Sequence, residues 1–241
     1  MPAIYKRSNS AAIMQLYHYP DLSLTTFFWE GPEFHHAVHV MRLGTGATVH
    51  LTDGKGHLAE AVVQHIEKKK CRLEVISMTT RPPVQPAVHL FVAPTKQIDR
   101  MEWLIEKATE IGVQAFHPFT SFHSERRSIR QDRLQHIALS AMKQSHRTYL
   151  PEVHALTDWK SAMATAATLP VKFIAHASGS SALKTFPIAP EPAALLIGPE
   201  GDFSDQELQD AIIAGFTKVH LGTYRLRTET AALMAAAALL S

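Results

Sequence analysis

Leu195-Leu196-Ile197 runs into Gly198-Pro199-Glu200-Gly201-Asp202-Phe203-Ser204. Shortly after, Val219-His220-Leu221 runs into Gly222-Thr223-Tyr224-Arg225-Leu226-Arg227-Thr228-Glu229-Thr230-Ala231. Each segment passes from a short apolar strand, through glycine, towards a helix. Glycine beside a strand end lets the backbone turn sharply and approach a flat ligand, because no Cβ stands in the way. In open α/β sheets, ligands bind outside the carboxyl ends of the strands. The two loops therefore mark an α/β fold and its site together.

Outward from them the chain alternates in the same rhythm. Strands are predicted at Val88–Ala93, Val113–Phe119, Val171–Ala177, Ala194–Ile197 and Lys218–Leu221. Between the first two, Asp99 with Glu102 reads as a capping box. Met101, Leu104, Ile105, Ala108 and Ile111 then form one helix face, with Gly112 placed to end the helix. Trp103 and Met101 read as core. Leu134, Ile137, Ala138 and Ala141 mark a second helix over 129–146. Ser204 with Glu207 is another capping box, opening a helix that reaches Gly215. The last helix, 229–240, is apolar almost all round, which predicts that it is largely buried. Strands alternating with helices imply a parallel sheet covered on both faces.

Residues 14–80 read differently, as short strands and turns. Thr48-Val49-His50-Leu51-Thr52 meets Asp53-Gly54-Lys55-Gly56, a hairpin signal, and strands follow at 58–66 and 71–76. Pro32–Met41 is the exception, with Phe34, Val38 and Met41 on one face of a short helix. This predicts a small, mostly β barrel. Arg81-Pro82-Pro83-Val84-Gln85-Pro86 favours stiff extended backbone, so 81–87 is the expected linker and 88–241 the α/β domain. Residues 1–13 show no packed pattern and are expected to be a loose extension, with Met14 a candidate native start.

The 241 residues carry a net charge of only +2, so a nucleic-acid surface must come from local clustering. The single cysteine, Cys71, excludes an internal disulfide framework and fits a reducing compartment. With no long apolar run and no signal-peptide pattern, a cytoplasmic protein without membrane contact is expected. Fifteen histidines raise a metal hypothesis. The densest cluster, His35-His36-His39, has no acidic or cysteine partner at ligand spacing, so no metal is expected.

Gly198-Pro199-Glu200-Gly201 after a strand, Leu221-Gly222, and Leu226-Arg227-Thr228-Glu229-Thr230-Ala231 resemble the knotted SPOUT class of RNA methyltransferases. Asp99–Trp103 through Lys107–Val113, and His35-His36 through Met41-Arg42-Leu43, narrow the resemblance to the ribosomal small-subunit RNA methyltransferase E family. It implies an α/β knotted (SPOUT trefoil-knot) parallel-sheet domain preceded by a small PUA-like β-barrel. It also implies a homodimer that uses S-adenosylmethionine to methylate N3 of a uridine in 16S rRNA of the small ribosomal subunit. The same fold would also suit another RNA target, or an RNA-binding assembly protein without catalysis. Two positions depart from the pattern. Asp202 stands where relatives often carry glycine, and Met14 is followed by Gln15 rather than the arginine often found after the starting methionine.

Cofactor binding falls to Leu196, Gly198, Gly201, Leu221, Gly222 and Leu226, mainly through their backbones; the bland alternative is that the glycines only make tight turns. Glu200, Arg227 and Glu229 are the candidate catalytic side chains. A carboxylate can take the uridine N3 proton and Arg227 can steady charge on a uridine oxygen. Glu229 equally suits the positive end of a helix dipole. For RNA, Arg126, Arg127, Arg130, Arg133 and Arg147 cluster with Lys143 against Glu125 and Asp132, and Arg42, Lys55 and Lys68–Lys70 extend the basic set. The alternative is a solvated helix face. Six or more phosphate contacts would cost about 10³–10⁵-fold in affinity between 50 and 200 mM salt.

Overall fold

The computed structural model describes residues 15–187 and 189–240, so the expected extension 1–13 and the candidate start Met14 lie outside the described residues. Two compact units divide between Thr80 and Arg81.

The first unit contains β1 (Leu16–His18), β2 (Thr26–Glu30), α1 (Pro32–His35), β3 (Thr48–Thr52), β4 (His57–Ile66) and β5 (Lys70–Thr80). They pair in the order β1-β3-β4-β5-β2, with β1 parallel to β3 and the rest antiparallel. The β3–β4 hairpin turns where the Asp-Gly signal placed it. Asp53 Oδ1 accepts from the Lys55 and His57 N–H groups at 2.8 and 3.2 Å. Trp29, Tyr17, Leu51 and Leu73 fill the core.

The helix expected over 32–41 is only one α turn. It widens into a π turn at His36–Val40, closed by the Met41 N–H donating to the His36 carbonyl at 3.0 Å. The extra residue in that turn rotates the face, so Phe34 and Ala37 are buried while Met41 is 49% exposed.

The second unit contains β6 (Val88–Val92), α2 (Ile98–Ile111), β7 (Ala115–Thr120), α3 (Gln131–Gln144), β8 (Glu152–Val153), β9 (Thr157–Asp158) and α4 (Trp159–Ala166). There follow β10 (Val171–Ala175), β11 (Ser181–Ala182), β12 (Ala193–Ile197), α5 (Asp205–Ile213), β13 (Thr217–His220) and α6 (Thr228–Leu240). The sheet order is β11-β13-β10-β12-β6-β7-β8, with β9 beside β7, and every pairing is parallel. Both faces are covered, which explains the unbroken apolar strands. Leu90, Val92, Leu195 and Ile197 pack with residues of α2, α3 and α6, while Phe91, Ala194 and Leu196 pack with residues of α4 and α5. The proline-rich stretch is anchored to this unit: Arg81 Nη1 donates to the His146 carbonyl, and the Tyr149 hydroxyl donates to the Arg81 carbonyl.

Three local expectations need correction, and one helix was not expected. Asp99 does not cap α2; Gln97 is the cap residue, without a side-chain bond, and Asp99 lies in the first turn. Its charge still suits the helix dipole there, while Glu102 bonds Arg133 instead. Trp103 is 42% exposed, since it lies off the Met101–Leu104–Ile105–Ala108 face. In α6 only Thr228, Glu229, Ala232, Ala235, Ala236 and Leu239 are buried, and Met234 is 47% exposed, because one face alone meets the sheet. The alanine-rich α4 shows no clear apolar stripe and went unforeseen; Asp158 caps it by accepting from the Ser161 N–H at 2.7 Å.

The α5 capping box forms as expected, and its carboxylate reaches further. Glu207 accepts from the Ser204 N–H and hydroxyl at 2.8 and 2.9 Å, and from the Phe122 N–H at 2.8 Å. It thus ties the start of α5 to the loop after β7.

Candidate functional site

Three neighbouring strands, β12, β10 and β13, end at one cleft of about 780 Å³. Ala175–Ala177, Ile197–Glu200 and His220–Thr228 line it, with Asp202 and Ala231. Of the expected cofactor residues, Gly198, Leu221, Gly222 and Leu226 are on its wall. Leu196 and Gly201 are not. Leu196 is fully buried on the opposite face of β12, and Gly201 packs on His123, whose Cβ a side chain would meet at 2.8 Å. Gly222 has φ +151 with open space beside it, so the chain turns there at no steric cost.

Among the described residues, Gly222, Thr223, Tyr224 and Leu226 make no backbone hydrogen bond within the chain. Their N–H and C=O groups are left for a ligand or solvent. Glu200 faces the cleft while its Oε1 accepts from the Lys96 N–H at 2.9 Å and its carbonyl accepts from Arg225 Nη2 at 3.0 Å. Lys96 itself pairs with Glu125 at 2.8 Å, which holds its ammonium above the ordinary lysine range, with a smaller contribution from Glu200.

Arg227 lines this cleft and also a second recess of about 470 Å³, formed with Asp99, Arg100, Trp103, Glu229 and Thr230. Glu229 Oε1 lies 3.8 Å from Arg100 Nε, while Oε2 is buried without a hydrogen-bond partner. Glu229 also lies in the first turn of α6, where a carboxylate suits the positive end of the helix dipole. A buried carboxylate oxygen left unpaired is costly and asks for a functional account.

Residues 82–240 match a family described as RNA methyltransferase domain, and residues 30–76 match an RNA methyltransferase PUA domain. A ribosomal RNA small subunit methyltransferase E from Bacillus subtilis is 30% identical over 233 residues, covering 89% of each chain. This chain belongs to the ribosomal RNA small subunit methyltransferase E family. A crystal structure of a methyltransferase E from Neisseria gonorrhoeae, bound to S-adenosyl methionine, is similar with a TM-score of 0.81 at 29% identity. The match covers 93% of this chain and 96% of that one. A probable rRNA methyltransferase from Porphyromonas gingivalis gives 0.84 at 36% identity, over 92% and 95% of the two chains.

The arginines expected to bind RNA are unequally placed. Arg126 donates to the Thr95 and Lys96 carbonyls at 2.7–3.2 Å, pinning the loop after β6. Arg130 pairs with Asp132 and Arg133 with Glu102. Arg147 is half-buried against Gly112, and burial pulls its guanidinium below the usual range. Arg127 and Arg42 are exposed.

His176 on the cleft wall was not anticipated from sequence, and Asp202 was marked there only as a departure at a usual glycine position. His176 follows the apolar run 171–175 as Gly198 follows 195–197, but no glycine directly after the strand drew attention to it. Among the described residues, no group of three or more His, Cys, Asp or Glu side chains is arranged to hold a metal ion. His89, His117 and His154 instead stack in a row across β6, β7 and the end of β8, and burial pushes His117 down to about 3. Among the described residues no helix is long and apolar enough to cross a membrane.

Proposed function

We propose that this protein methylates N3 of a uridine in 16S rRNA of the small ribosomal subunit, with S-adenosylmethionine held in the cleft at the ends of β10, β12 and β13. The observation that carries the reading is the join at Arg227 between that cleft and a recess containing an unpaired buried carboxylate oxygen. A volume of about 780 Å³ is in the usual range for cofactor sites. The wall suits the group as well. Ile197, Leu221, Leu226 and Ala231 offer apolar contact to a flat base, and the unbonded backbone of 222–226 offers donors and acceptors to its edge. When bound, S-adenosylmethionine supplies a methyl group on a sulfonium, ready for in-line displacement.

The chain's own residues act on the other reactant. Trp103 presents an exposed ring in the recess for a base to stack on. Glu229, on the wall of the recess, is the carboxylate that takes the N3 proton, with Arg100 Nε 3.8 Å from its Oε1. Arg227 donates to the uracil oxygen on which charge develops. Holding both reactants in line contributes up to roughly 7–11 kcal/mol to the barrier reduction.

We infer for the last loop the knotted path that the family resemblance implies, and the strand order supports it. The chain leaves β13, separated from β12 by β10, yet α6 packs on β6, β12 and α2. The uncovered face of α6 around Met234 supports a homodimer.

Arg127, exposed and without an ion-pair partner among the described residues, is the best-placed phosphate ligand of the cluster. Arg127→Ala is expected to weaken RNA binding for all sequences alike and to reduce the salt slope by about one, read by filter binding over a salt series. An unchanged slope assigns the cluster to a solvated face.

Mass spectrometry of 16S rRNA from a strain lacking the protein tests the function, with loss of one N3-methyl on uridine as the expected result. Loss of a methyl group at another base would keep the chemistry and change the target. Intact methylation, with no saturable heat on titrating the protein with S-adenosylmethionine, would leave an RNA-binding protein.

A further inference from the structure

We propose that Asp202 is a specificity residue of the cofactor cleft, presenting its carboxylate to a cationic group carried by the ligand; this rests on the reading of that cleft as an S-adenosylmethionine site. Asp202 has φ +63, a left-handed conformation that a side chain normally disfavours. Its turn is closed without the carboxylate, because the Asp202 N–H donates to the Pro199 carbonyl at 2.9 Å. Oδ1 accepts from the Phe203 N–H at 2.9 Å, and the main-chain carbonyl meets His123 Nδ1 at 3.1 Å. The residue is thus held from three sides, yet its side chain is 41% exposed and lines the cleft.

The remaining oxygen, Oδ2, lies 3.4 Å from His176 Nε2. The other ring nitrogen fixes what that contact is. The Ser178 N–H donates to His176 Nδ1 at 3.1 Å, so the ring proton sits on Nε2 and points at Asp202. Ser178 Oγ also lies 2.8 Å from Nδ1 and accepts from Lys218 Nζ at 3.1 Å. In this tautomer the imidazole directs its Nε2–H towards the carboxylate and orients it. Of the cationic side chains on the cleft wall, Arg225 is turned to the Glu200 carbonyl, and Arg227 borders the second recess. Asp202 therefore brings to the cleft wall a carboxylate that neither arginine pairs with. The cations that S-adenosylmethionine carries are its α-ammonium and its sulfonium.

Titration calorimetry of the wild type, Asp202→Asn and Asp202→Gly against three ligands tests this. S-adenosylmethionine has both charges, S-adenosylhomocysteine lacks the sulfonium, and 5′-methylthioadenosine keeps the nucleoside but has neither cation. Asparagine tolerates the left-handed backbone and glycine adopts it freely, so both variants should keep the wild-type unfolding midpoint. Both are expected to bind S-adenosylmethionine about 10–100-fold more weakly, the range for a lost charge-assisted hydrogen bond. Binding of 5′-methylthioadenosine should be unchanged. An equal loss with S-adenosylhomocysteine assigns the contact to the ammonium, and a loss confined to S-adenosylmethionine assigns it to the sulfonium. An equal loss with 5′-methylthioadenosine, or no loss at all, overturns the proposal. A wild type that binds none of the three overturns instead the reading of the cleft.

Discussion

Arg227→Ala is expected to slow methyl transfer about 10²–10³-fold, the range for removing one donor from a developing oxyanion. The same change should leave stability within about 0.5 kcal/mol. The second expectation follows from exposure, since the Arg227 side chain makes no hydrogen bond or ion pair among the described residues. The first follows from position, because Arg227 is the residue shared by the glycine-lined cleft and the recess of Glu229. Lysine in its place should recover only part of the rate, because a point charge lacks the planar fork of donors. Single-turnover methylation of small subunits from a deletion strain, beside a thermal melt, reads both quantities. Full activity in the alanine variant would remove Arg227 from the mechanism.

Glu207→Ala should cost about 2–5 kcal/mol of stability, the largest effect expected from a single side chain outside the apolar core. The carboxylate is 5% exposed and accepts from the Phe122 and Ser204 N–H groups, the Ser204 hydroxyl and, at 3.4 Å, the Ser121 hydroxyl. Truncation strips these donors of their acceptor where water has little access. Glu207→Gln should cost less, since the amide oxygen still accepts while its NH₂ faces donors. Urea unfolding of both variants gives the comparison, and an alanine cost below 1 kcal/mol would show that the loop after β7 finds other partners.

Capping shows how far local chemistry carries. Ser204 and Glu207 form their box because both partners lie within one turn, and the carboxylate keeps it while also accepting from Phe122. Asp99 and Glu102 have the same spacing, but the helix begins two residues earlier and Glu102 meets Arg133 from α3. The second pairing joins residues of different elements, so no reading of residues 99–102 contains it. The arginine cluster divides for the same reason. Arg126 resembles its neighbours in sequence, yet in space it faces the carbonyls of Thr95 and Lys96.

The candidate site was legible where backbone conformation alone placed it. Gly198, Leu221, Gly222 and Leu226 follow strand ends, and their positions on the cleft depend on turns a few residues long. Leu196 was misplaced because side chains in a strand alternate, and one residue separates the face of Ile197 from the face of Phe91. Gly201 was misplaced because what its missing side chain accommodates is His123, 78 residues away in the chain.

The sequence by itself determined the α/β rhythm, the hairpin at Asp53-Gly54, the Ser204 cap, the two glycine loops and, through its motifs, the family. Each depends on periodicity or turn chemistry within about a dozen residues. Only the tertiary structure decided that β10 lies between β12 and β13, bringing His176 against Asp202 across the cleft. It alone left Glu229 Oε2 unpaired beside Arg227 and Trp103. Strand order and the meeting of distant side chains arise from long-range packing, which no local pattern specifies.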